Sequence, residues 1–134
     1  MSDLPPFTHP PSLADLDLMA RAALDTLPEV LRAQCTDLVV RVEEFPDEEV
    51  QVSMGLESPF DLLGLYHGVS IDRKSLGDVP GGPDMVFLYR SPVLDYWIET
   101  GEDLNRLVRH VLIHEIGHHF GFSDEEMADL ETQA

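Results

Sequence analysis

The segment from Leu104 to Gly121 constrains this chain most. Leu104, Leu107, Val108, Val111 and Leu112 recur at helical spacing and require a buried partner surface. Thr100 is expected to cap this helix, with Glu102 and Asp103 in its first turn. Gly121 is expected to end it. With 134 residues in all, the chain has room for one hydrophobic core, which this helix must share.

The rest of the sequence supplies the partners. Residues 1–11 hold four prolines and no periodicity, and read as a flexible arm ahead of a single domain over residues 12–134. Ser12 and Asp15 form a capping-box pair, and Leu13, Leu16, Ala20, Ala23, Leu24 and Leu27 follow as one helical stripe. Pro28 ends that helix and opens a short second one to Gln34. Leu38 to Glu43 alternates as a strand, with Leu38, Val40 and Val42 on the core side. Pro46 to Met54 is acidic and ambiguous. Leu62 to Val69 reads as a second strand whose glycines suggest irregularity or close backbone approach. Asp72 to Asp84 is a Gly/Pro-rich loop. Met85 to Arg90 is the clearest strand, followed by a short helix through Ile98 and, at the end, a turn or helix over Asp124 to Thr132. Helices, then strands, then helices indicate an α+β domain with a small mixed sheet.

The long helix also carries chemistry. It reads His114-Glu115-Ile116-Gly117-His118-His119 before the Gly121 stop. His114 and His118 are four residues apart, so both imidazoles leave one helical face and can share one ion. Zinc takes such nitrogens at about 2.0–2.1 Å. Glu115 is turned by about 100° from His114, within reach of a metal-bound water without ligating the metal. A catalytic zinc needs a third protein ligand and one open position. Only ten residues follow Asp124, so that ligand lies just past the helix stop or upstream. Asp124, three residues after Gly121, is the natural candidate. Ser123 and Glu126 can satisfy a capping box between themselves, which frees the Asp124 carboxylate. Glu125, Glu126, Glu131 and His110 are the rivals. His119 faces away from the pair. Tyr66, His67, Tyr89 and Arg90 are candidates to stabilise an oxyanion, with structural roles in the strands the plainer expectation for each.

These residues resemble the zincin metallopeptidases, whose signature is HExxH. The longer string is similar to the extended HExxHxxGxxD form. The closer resemblance is to a small bacterial zincin-like metallopeptidase family, through Leu63-Gly64-Leu65-Tyr66-His67-Gly68-Val69, Phe87-Leu88-Tyr89-Arg90 and His114 to Glu126. The resemblance implies a minimal zincin-like fold, a small sheet with the active-site helix packed on it. It implies Zn2+ held by His114, His118 and Asp124. Met127 stands too near Asp124 to form the downstream Met-turn of metzincins.

The expected function is zinc-dependent hydrolysis of peptide bonds, with Glu115 as general base. An extended peptide or protein substrate is expected to pair with a free sheet edge, taken to be the Met85 to Arg90 strand. The alternative is a metal-stabilised binding module, in which His110 closes the fourth position. Composition narrows the partners. Lys and Arg total 8 against 26 Asp and Glu, a net charge of -18. Nucleic acid and anionic membranes are disfavoured, and neutral or basic peptides favoured. One cysteine rules out an internal disulfide framework, and the N-terminus lacks a signal-peptide pattern, so a cytoplasmic location is expected.

Overall fold

A computed structural model of the chain describes residues 9–68 and 84–132. Most of the expected arm and all but the last residue of the expected Asp72–Asp84 loop lie outside the described residues. The elements run α1 (Leu13–Asp25), α2 (Glu29–Ala33), β1 (Val39–Glu43), α3 (Glu48–Ser53), a 3₁₀ turn (Pro59–Asp61), β2 (Gly64–His67), β3 (Met85–Tyr89), α4 (Arg90–Thr100), α5 (Leu104–Phe120) and α6 (Asp124–Thr132). The architecture is α+β, as the resemblance implies.

The sheet has the order β1-β3-β2. β1 runs parallel to β3, with Val39 opposite Met85 and Glu43 opposite Tyr89. β2 runs antiparallel to it, with Gly64 opposite Leu88 and His67 opposite Met85. The sheet is therefore mixed, and β3 is its centre. That overturns the expectation that the Met85 to Arg90 strand offers a free edge: its backbone groups are taken on both sides. Its sequence, Met-Val-Phe-Leu-Tyr, is the near-continuous apolar run of a strand covered on both faces. Among the described residues the edges are β1 and β2.

α1 and α5 lie together across one face of the sheet. Leu16, Ala20, Ala23 and Leu27 of the first stripe meet Leu107, Val108, Val111 and Leu112 of the long helix, with Val86 and Leu88 from β3. The Ser12–Asp15 capping box forms reciprocally, Asp15 N–H donating to Ser12 Oγ at 3.1 Å and Ser12 N–H to Asp15 Oδ2 at 2.8 Å. Leu38, Val40 and Val42 pack on the core as their alternation implies.

The start of α5 corrects a second expectation. Thr100 is the last residue of α4, which stops at Gly101 in a left-handed conformation, φ 70°. The N-cap of α5 is Asp103, whose carboxylate accepts from Arg106 N–H at 3.0 Å. Thr100 instead turns its hydroxyl back to Tyr96 O, and Glu102 stays outside the helix. Both residues are good caps, and the left-handed glycine between them decides which one the helix uses.

Candidate metal centre

α5 owes its far end to a glycine turn. Gly121 adopts φ 75°, Phe122 N–H bonds Gly117 O at 2.8 Å, and Gly121 N–H bonds His118 O at 3.3 Å. This is the double-bonded helix stop that only a residue free of a Cβ adopts without cost. The chain then turns into α6. Ser123 and Glu126 cap it mutually, Glu126 N–H donating to Ser123 Oγ at 3.2 Å and Ser123 N–H to Glu126 Oε1 at 3.1 Å. Glu126 is therefore engaged, as the sequence suggests.

His114 and His118 are exposed on one face of α5, with ring centres 5.5 Å apart and planes inclined by 58°. Two imidazoles sharing one tetrahedral ion through nitrogens at about 2.1 Å have ring centres about 5 Å apart. The observed ring separation is close to that value. His118 is half-exposed, and its Nδ1 lies 3.5 Å from Glu115 Oε1.

Glu115 is mostly buried because β2 covers it. Gly64 permits this approach: a Cβ there would lie 2.7 Å from Val111 Cγ1 and 3.0 Å from Phe87 O. With no side chain in the way, β2 settles onto the helix, and Tyr66 N–H donates to Glu115 Oε1 at 2.9 Å. The Tyr66 amide therefore points away from β3, along the outer edge of β2. The sequence flags Gly64 as a point of close approach, but nothing in it announces the bond from strand amide to helix carboxylate.

A groove of about 1000 Å³ opens beside Glu115 and His114. Leu63 and Gly64 line it from the β2 side, and Leu107 and Val111 from α5. None of Tyr66, His67, Tyr89 and Arg90 lines it. Tyr89 is buried, and burial with the nearby charges of Glu43, Asp47 and Glu115 pushes its phenol up to about 12. Arg90 holds the N-terminal segment, donating to Pro11 O at 2.7 Å and to Glu44 Oε2 at 2.9 Å.

His110 bonds Glu131 through its Nδ1. Two of the rival ligands are thus engaged with each other. His119, adjacent to His118, faces the interior, where its Nδ1 lies 3.2 Å from Asp84 Oδ2 and 3.5 Å from Tyr66 Oη. Sequence reasoning places His119 away from the pair but does not find this buried cluster, whose partners lie far away in sequence. Among the described residues, no three His, Cys, Asp or Glu side chains are grouped to hold a metal. Asp124 opens α6, and its side chain lies outside the described residues.

A small mixed sheet with an HExxH helix packed across it defines the minimal zincin class. Comparison with family models agrees: the zincin-like metallopeptidase model matches residues 35–134, and the chain belongs to that family. Proteins of this family generally bind zinc. Comparison with curated proteins finds no match. No helix among the described residues is long and apolar enough to cross a membrane.

Proposed function

We propose that this protein is a zinc peptidase in which His114, His118 and Asp124 hold the metal and Glu115 is the general base. The observation that carries the reading is the placement of Glu115. Its Oε1 lies 3.5 Å from His118 Nδ1, it is held by a strand amide, and with His114 it lines an open groove. A bound zinc ion supplies Lewis acidity, lowering the pKa of water toward about 7 and polarising a carbonyl.

The chain's own residues do the rest. The Tyr66 amide fixes Oε1 of Glu115, which leaves the carboxylate oriented and its other oxygen available to the groove. Glu115 takes the proton of the attacking water and delivers it to the leaving amine. The outer edge of β2, where Gly64 faces away from β3 beside the Tyr66 amide already taken by Glu115, is the edge on which an extended peptide would lie. Peptide or protein substrates are expected there, neutral or basic ones before acidic ones, given the net charge of -18.

The test is Glu115→Gln. Zinc content should be unchanged, and cleavage of an unstructured basic protein should fall by about 10²–10⁴-fold. Wild-type turnover in that variant rules the mechanism out.

A further inference from the structure

Gly117 lies inside the histidine motif in ordinary helical geometry, where no turn calls for a glycine. An interior helical glycine costs about 1 kcal/mol relative to alanine. Its use here is steric. A Cβ at 117 would run into Met127 Sδ and lie 2.5 Å from Met127 Cγ and 3.3 Å from its Cε. Met127 is 4% exposed, so its side chain fills the notch that the glycine leaves. The Gly117 carbonyl accepts Phe122 N–H. One residue of α5 thus receives both the returning backbone and the buried Met127 side chain of α6.

We infer that Met127 is a positioning residue for the metal site, locking the first turn of α6 against Gly117 and so setting where Asp124 stands. This rests on the reading of Asp124 as a ligand. Asp124 and Met127 are three residues apart, on one turn of helix, so the seat of one fixes the height and rotation of the other. The far end of α6 is held separately, by Arg109 Nη1 donating to Glu131 O at 3.0 Å and by the His110–Glu131 bond. Loss of the Met127 contact therefore leaves the end that carries Asp124 to the backbone turn at Gly121, while the other end stays attached through side chains as well.

The experiment is a double-mutant cycle on the full chain. Zinc dissociation constants come from competition with a chromogenic chelator, alongside thermal unfolding of the metal-free protein. Met127→Ala should weaken zinc binding by about 10–100-fold, the usual effect of removing a group that orients a ligand. Met127→Leu, of similar volume, should restore binding to within about threefold. Met127→Ala added to Asp124→Ala should cost no further affinity, because the methionine acts through the aspartate. Unchanged zinc affinity in Met127→Ala, with only a lowered Tm, overturns the inference; so does a further loss on top of Asp124→Ala. If Asp124→Ala itself leaves affinity unchanged, the ligand reading is what fails. Should Met127→Ala not fold, Gly117→Ala crowds the same seat: a tenfold loss supports the inference, and unchanged affinity overturns it.

Discussion

Gly64→Ala tests the closeness of strand and helix on which the Glu115 geometry depends. Its new Cβ would sit 2.7 Å from Val111 Cγ1, 3.0 Å from Phe87 O and 3.4 Å from Glu115 Cγ. The last is ordinary contact; the first two are not. Val111 is β-branched and helical, so its χ1 has one comfortable well and cannot swing aside. The Phe87 carbonyl belongs to the central strand and is fixed by the sheet. Relief must come from shifting β2, and overpacking of this kind costs about 1–3 kcal/mol. An alanine also stiffens the unfolded chain, which returns about 0.4–1 kcal/mol. Taking the middle of each range, the net loss is about 1.3 kcal/mol, or roughly 4–5 °C in Tm for a domain of this size. Thermal denaturation of the metal-free protein, followed by circular dichroism, measures it. A Gly64→Ala protein as stable as the parent, or more so, refutes the tight packing of β2 on α5.

Three further outcomes follow from the same structure. The Ser91 hydroxyl and then the Arg90 guanidinium hold Glu44 below its ordinary value of 4.5, so its contribution is present above that pH and lost as pH falls through the depressed value. Glu44→Gln should therefore cost ~1 kcal/mol or less at pH 7, Glu44 being partly exposed, and nothing in acid, as urea titrations at the two pH values will show. Tyr89 titrates at about 12 against an ordinary 10.0, so its contribution is complete below pH 10 and lost as pH rises through 12. Absorbance titration should show that phenol ionising last or only on unfolding, and Tyr89→Phe should remove that component. Asp84→Ala strips a carboxylate from buried His119 and should cost about 1–3 kcal/mol in a denaturant titration.

Local signals in the sequence were sufficient for much of this fold. The Ser12–Asp15 and Ser123–Glu126 boxes, the alternation of β1 and the stop at Gly121 depend on neighbours a few residues apart, and all appear. Two features that depend on distant packing did not follow. The apolar run of β3 reads equally as an edge or a centre until β1 and β2 are placed beside it. The helix start moved from Thr100 to Asp103 because Gly101 took the left-handed stop. At the site, the histidine spacing was legible because one helix sets it. The Tyr66–Glu115 bond spans 49 residues and leaves no local trace. Gly117 did leave one: a glycine in the middle of a strongly periodic helix signals close packing, here by Met127.

The central claim is that two imidazoles of α5 and a carboxylate from the start of α6 share one zinc ion. X-ray absorption at the zinc edge of the purified, zinc-loaded protein reads that shell directly. The account predicts one zinc per chain in a four-coordinate shell of nitrogen and oxygen, with two imidazoles at about 2.0–2.1 Å and an exchangeable water. Sulfur in the shell, fewer than two imidazoles, or four protein ligands with no water would contradict it.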